Sequence, residues 1–251
     1  MKTWIVLCMT VLFPHLASAA DIQATLQWSQ RVELSPSVSG IVQIVNVEVG
    51  DMVKKNQVLL SLDSTAYQAK VAASQSEITR LNAEAEEATR ELARVQELHD
   101  RSVTSTTELD QAKLQQVKNQ SLLSEARARL QQNQKTLDDT SLRAPFDAVV
   151  VIRQAEPGLT VAAGLQPQML LTLAKSGEMI ARIHLTPAQM NNLKISQTII
   201  VSVGGINHSG KIKTLGMEPS KTKEGTVYPV EVLFPSKQIL RAGTPAVVKL
   251  P

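Results

Sequence analysis

The chain has 251 residues, 43% of them hydrophobic and 20% charged, which excludes wholesale disorder and a polytopic membrane protein. The formal net charge is +3, and no basic run is interleaved with aromatics, so a dedicated nucleic-acid binder is excluded as well. Aromatic residues make up only 3%, too few for one thick core and suited to a chain spent on thin or elongated structure.

Lys2, the apolar run Trp4 to Phe13 and Ala17-Ser18-Ala19 have the order of a secretory signal peptide. The run is too short to span a bilayer, which takes about 20 apolar residues. Cleavage is expected after Ala19 or Ala20, so residues 1–20 are read as a leader and the mature chain as exported and soluble. Cys8, the single cysteine, leaves with the leader. Val6-Leu7 before it lack the small residues of a lipoprotein signal.

Next comes an internal repeat. Gly40-Ile41-Val42-Gln43-Ile44 recurs as Ala148-Val149-Val150-Val151-Ile152, displaced by 108 positions, and Gly50-Asp51-Met52-Val53 recurs as Gly158-Leu159-Thr160-Val161. After a small insertion at Gln166-Pro167-Gln168, Val58-Leu59-Leu60-Ser61-Leu62 recurs as Met169-Leu170-Leu171-Thr172-Leu173. Each copy reads strand, glycine turn, strand. A copy of about 30 residues cannot bury its own apolar face, so the two are expected to pack into one small sandwich.

Between the copies the period changes. Tyr67, Val71, Ser74, Ile78, Leu81, Ala85, Ala88, Leu92 and Val95 form one narrow heptad seam. Leu109, Ala112, Gln116, Asn119, Leu123, Ala126, Leu130, Asn133 and Leu137 form another, and no Gly or Pro occurs from Ser64 to Asp139. Each seam needs a partner helix to cover it. Arg101-Ser102-Val103-Thr104-Ser105-Thr106-Thr107 is poor in helix formers and rich in N-cap residues. The spacing therefore predicts an antiparallel helical hairpin over 64–139, with an arm about 55 Å long. Gln116, Asn119 and Asn133 make the second seam polar. They either fix register within the hairpin or face solvent or a neighbouring rod, and assembly is the reading favoured here.

From Ser176 the chain reads as short strands. Met179–Leu185 and Thr198–Val203 flank one or two helical turns started by Pro187. Gly204-Gly205 and Gly210 punctuate a hairpin, and Thr226–Phe234 and Ala246–Leu250 follow. A small antiparallel barrel or sandwich is expected, with Ile22 to Glu33 free to add a strand.

This layout resembles the periplasmic adaptor subunits, or membrane fusion proteins, of tripartite efflux pumps and type I secretion systems (the HlyD and RND efflux adaptor family). The likeness covers essentially all the mature chain. Its local marks are Ser37-Val38-Ser39-Gly40-Ile41-Val42, Val49-Gly50-Asp51-Met52-Val53 and Leu142-Arg143-Ala144-Pro145-Phe146-Asp147-Ala148-Val149-Val150. Ala148 stands where the family usually has Gly. The resemblance implies a mixed α and β, elongated multidomain fold. A lipoyl-like β-sandwich (35–63 and 140–175) is split by the α-helical coiled-coil hairpin (64–139), and a small antiparallel β-barrel is formed by 21–34 and 176–251.

A second mark lies at the bend. Arg94, Leu98 and Ser105 keep the family's Arg, Leu and Ser spacing of four and seven, which implies docking of the tip on a TolC-like outer-membrane channel. The implied partners are an inner-membrane transporter, that channel and further copies of the chain in a ring, a hexamer or trimer of dimers. The implied place is the periplasm of a Gram-negative bacterium, beside the inner-membrane transporter. The family's membrane-proximal domain is expected to be missing or vestigial, because Leu240 to Val248 reads as the last barrel strand. An RND-type transporter exporting small molecules is preferred to an ABC-type or type I secretion exporter, because secretion adaptors usually resemble anchored proteins.

No catalytic residue, cofactor or metal is expected. The rod occupies the place where true lipoyl domains carry their lysine, so Lys54 and Lys55 read as solvated turn residues and no lipoate is expected. His99, His184 and His208 are isolated and lack zinc spacing. Met52, Met169, Met179, Met190 and Met217 read as core filling, and Glu84, Glu86 and Glu87 as a charged helix face. No Gly-x-Ser-x-Gly elbow, Walker loop or His-Glu-x-x-His occurs. A solute-binding protein or a carrier with a prosthetic group is the reading from a different class.

Overall fold

A computed structural model describes residues 21–164, 168–222 and 225–250. The expected leader and part of the insertion at Gln166-Pro167-Gln168 lie outside the described residues. The chain divides into two compact units, Arg31–Ala174 and the segments on either side of it. β1 (Asp21–Trp28) opens the flanking unit. The central unit then runs β2 (Arg31–Leu34), β3 (Gly40–Val45), β4 (Met52–Val53), β5 (Val58–Leu62), α1 (Thr65–Asp100), α2 (Thr106–Asp138), β6 (Ser141–Arg143), β7 (Ala148–Arg153), β8 (Thr160–Val161) and β9 (Leu171–Lys175). The flanking unit resumes with β10 (Glu178–Leu185), α3 (Pro187–Met190), β11 (Thr198–Val203), β12 (Ile206–Leu215), β13 (Ser220–Thr222), β14 (Gly225–Pro235) and β15 (Pro245–Lys249).

The flanking unit is a closed six-stranded antiparallel barrel in the order β10-β1-β15-β11-β12-β14, closed by β14 on β10, with β13 added outside β14. Alternation along each strand sends Leu26, Ile183, Val201, Val232, Phe234 and Val248 to the inside, where all are fully buried. On the outer face of the closing seam, Arg182 stands opposite Glu231 in register and its Nη2 donates to Glu231 Oε1 at 2.6 Å. Gly210 does not punctuate the hairpin, whose turn is Gly204-Gly205. It lies inside β12 opposite Ile199, where an added Cβ would come within 2.8 Å of Val232 Cγ1.

In the central unit each half-repeat lends edge strands to the other. One sheet runs β2-β9-β7-β4 and the other β6-β5-β3-β8, so the middle pair of each sheet comes from one copy and the edges from its mate. The exchange is fixed by two matching pairs of backbone bonds. Gly50 N–H donates to Val150 O at 2.9 Å and Val150 N–H to Asp51 O at 2.9 Å. Gly158 N–H donates to Val42 O at 2.8 Å and Val42 N–H to Leu159 O at 2.8 Å, the same contacts displaced by 108 positions. Both glycines have left-handed φ, 98° and 90°, which the turn requires and a side chain would oppose. The shared core holds Val42, Leu59, Leu62, Ala148, Val150 and Leu173. Residues 21–34 do not all join the barrel: Arg31–Leu34 pairs with β9, because Val32 and Leu34 pack against the sandwich core.

The hairpin leaves this sandwich through adjacent strands, with Leu62 N–H donating to Thr140 O at 2.8 Å. Asp63 Oδ1 accepts from the Thr65 N–H at 3.0 Å and the Thr65 hydroxyl at 2.7 Å, tying the start of α1. Tyr67 Oη donates to Ser39 O at 2.6 Å and pins that first turn to the sandwich. The expected seams form: Ser74, Leu81, Ala85 and Ala88 are buried on α1, and Leu109, Leu123 and Ala126 on α2. Two of the three seam amides reach across to the partner helix. Asn119 Nδ2 donates to the Glu84 carbonyl at 3.3 Å, and Asn133 reaches Ser74. With 36 residues, α1 is about 54 Å long.

Candidate docking site at the hairpin tip

Two interlocking caps build the bend between α1 and α2. At the end of α1, Ser102 takes the left-handed conformation with φ 60°. Its N–H donates to His99 O at 2.8 Å, and Val103 N–H donates to Leu98 O at 2.9 Å. These two bonds make a Schellman motif, in which Ser102 stands where glycine is usual and Leu98 and Val103 hold the positions of its apolar pair. At the start of α2, Ser105 is a capping box: its hydroxyl accepts from Glu108 N–H at 3.3 Å, while Glu108 Oε2 accepts from Ser105 N–H at 2.9 Å. His99 Nδ1 lies 3.2 Å from Thr104 O, between the two caps. The carbonyls of Glu97, Leu98 and His99 at the end of α1 and the Glu108 N–H at the start of α2 are thereby engaged.

The structure brings Leu98 and Ser105 into this turn and places Arg94 one helical turn before Leu98. Arg94 is exposed, at 70% for its side chain, and ion-pairs with Glu91. The hydrogen bond to Glu91, then its charge and that of Glu87, hold the guanidinium above its already high ordinary pKa, so Arg94 is a permanent cation. One Nη2 is engaged by Glu91. Leu98 is half-buried and Ser105 exposed. Val103 was not singled out from the sequence, yet it is the apolar side chain the turn exposes, at 68%. Its signal lay in the helix end two residues earlier, masked because Ser102 is not glycine. The Ser105-x-x-Glu108 spacing is a capping-box signature that the sequence displays.

The other candidates lie apart from the tip and from one another. Lys54 is an ion-paired turn residue: its Nζ donates to Asp147 Oδ2 at 3.2 Å, and Asp147 Oδ1 accepts from the Lys55 N–H at 2.8 Å. His184 stands opposite Pro229 on the β10–β14 seam, and His208 tilts against Phe234 with ring centroids 5.2 Å apart. Of the methionines, Met179 is buried in the barrel core, while Met52, Met169 and Met217 are exposed and do not fill a core. Glu84 and Glu87 pair with Arg80 and Arg90 along α1, a charged helix face as expected. Among the described residues no group of His, Cys, Asp and Glu is placed to hold a metal, and no helix is long and apolar enough to cross a membrane.

The sequence model of the CzcB-like barrel-sandwich hybrid domain matches residues 30–174. The chain is 29% identical to the macrolide export protein MacA of Yersinia pestis over 90% of its own length and 66% of that protein. It is 26% identical to the pyoverdine export membrane fusion protein PvdR of Pseudomonas aeruginosa, covering 82% of this chain and 57% of that one. The chain thus spans about three fifths of the length of these relatives. The solved membrane fusion protein Spr0693 of Streptococcus pneumoniae R6 shares the fold at 16% identity, with a TM-score of 0.72 over 93% of this chain and 99% of that one. The domain match takes in more than half of the chain, both half-repeats and the whole hairpin between them, and the chain therefore belongs to the CzcB-like barrel-sandwich hybrid family, whose fold it shares with membrane fusion proteins.

Proposed function

We propose that this chain is a periplasmic efflux adaptor that links an inner-membrane exporter to a TolC-like outer-membrane channel. The observation that carries the reading is the rod itself. A helical pair about 54 Å long is anchored by Tyr67 and by the paired strands at its base, and it ends in a doubly capped turn beside an exposed cation. Such a part spans distance and presents a fixed end. The export roles named for the relatives, macrolide for one and pyoverdine for the other, support small-molecule efflux.

In this reading residues 1–20 are removed on export, and Arg94, Leu98 and Ser105 form the docking end. Arg94 offers its remaining forked donors to carbonyls or a carboxylate on the channel. One tip offers little area, so several act together in a ring, six by analogy with the family, and gain affinity by multivalency. The transporter is of the RND type, with an ABC-type exporter as the competing partner. The test is crosslinking in cells, with identification of the captured transporter and channel. Arg94→Asp should abolish channel capture and export at unchanged protein level and melting temperature. Normal export by that variant removes Arg94 from the docking end.

A further inference from the structure

We propose that the apolar contact of the tip is made by Val103, with Leu98 acting as the residue that positions it. The proposal rests on the docking reading above and names which side chain of that site meets the partner. Leu98 is half-buried and its carbonyl accepts the Val103 N–H at 2.9 Å, so Leu98 occupies the helix side of the Schellman motif. Val103 is on the far side of that motif, with most of its surface in solvent. The left-handed Ser102 is what turns the chain there, and the capping box at Ser105 fixes the backbone two residues later. A β-branched side chain held on both sides loses little entropy when it is covered. Its neighbours in the turn, Arg101, Ser102, Thr104 and Ser105, are polar. This is one apolar anchor ringed by polar groups, the arrangement that suits a small pocket between the helix ends of a channel.

The experiment uses the full chain with a photoreactive residue at Thr107, made in cells beside the strain's own TolC-type channel. Wild type should capture the channel and Val103→Ile should match it, whereas Val103→Ser should lose about tenfold or more of the capture at an unchanged unfolding midpoint. Leu98→Ala should also lose capture, and adding Ser102→Gly, which favours the left-handed turn without Leu98, should restore it. Full capture by Val103→Ser overturns the assignment of Val103. Failure of Ser102→Gly to restore Leu98→Ala overturns the positioning role and puts Leu98 itself on the channel. Absence of capture by wild type removes the docking reading, and Val103's role with it.

Discussion

Asn133 on α2 donates its side-chain amide to the Ser74 hydroxyl on α1 across 2.7 Å, inside the seam of the hairpin. The contact joins two positions 59 residues apart and cannot form if either helix slides by one turn. Register is thereby written into a polar pair at some expense of stability. Asn133→Ala should cost about 1 kcal/mol and leave the Ser74 hydroxyl without its partner. Removing both side chains should cost less than the sum of the two single changes. Thermal unfolding of the four proteins in a double-mutant cycle checks this, and strict additivity would show that the bond contributes nothing.

Leu81 and Leu123 are buried to within 5% and 2% of full exclusion from solvent on facing helices. Each change to Ala should cost about 2–3 kcal/mol, the low end of core truncations, because a two-helix rod collapses around a cavity more readily than a globular core. Leu114→Ala, on an exposed position of the same α2, should cost little and serves as the control. The readout is loss of helical signal on heating.

The caps at the tip give changes of opposite sign. Ser102 holds a left-handed φ, so Ser102→Gly should stabilise the hairpin by about 1 kcal/mol. Ser105→Ala removes half of the capping box and should cost about 1 kcal/mol. Amide hydrogen exchange at Glu108 should slow in the first variant and quicken in the second.

Asp147 receives the backbone N–H of Lys55 and the ammonium of Lys54, and these two bonds, in that order, hold its carboxyl below the usual value. A carboxyl lowered on folding stabilises the fold above its unfolded pKa, about 3.9, and loses that effect as pH falls through the folded value. Asp147→Asn should therefore be less stable than wild type at neutral pH, with the gap closing below about pH 4. Denaturant midpoints at several pH values check it. A gap that widens in acid would contradict the sign.

Excising 64–139 and joining Asp63 to Thr140 through a short turn should leave the sandwich and barrel folded, since Leu62 and Thr140 are already hydrogen-bonded neighbours. Retention of cooperative unfolding and of dispersed amide resonances checks the result. A disordered product would mean that the hairpin supports the sandwich and does not merely project from it.

The repeat and the heptad seams were legible in the sequence because both are periodic: Val42 and Val150 do equivalent work 108 positions apart, and every third or fourth residue from Tyr67 turns inward. The exchange of edge strands was not legible, because β4 and β8 are two residues long and carry no period. The fate of Arg31–Leu34 was hidden for a related reason: alternating Val32 and Leu34 suits either sheet, and only the pairing with β9 decides. That Leu98 and Ser105 lie at the bend and Arg94 one turn before it could be read from the sequence, since the break between the two seams marks the bend. Val103 could not, since its exposure depends on the left-handed Ser102, a conformation serine seldom announces.

The exchanged strands have a consequence for how the molecule can assemble. As the chain is made, the first half-repeat, ending at Leu62, emerges without the edges its mate must supply, the first of which starts only at Ser141, and closing that stretch as random coil costs loop entropy. The hairpin removes most of that cost. The turns within each helix are local and form fast, and pairing across the hairpin starts at the short turn and runs out to pairs such as Ser74 and Asn133, 59 residues apart. Once zipped, it delivers Thr140 to the side of Leu62. A rod that zips first is in this sense a splint: it turns a distant strand pairing into a nearby one and shortens the time in which unpaired edges stand open to other chains.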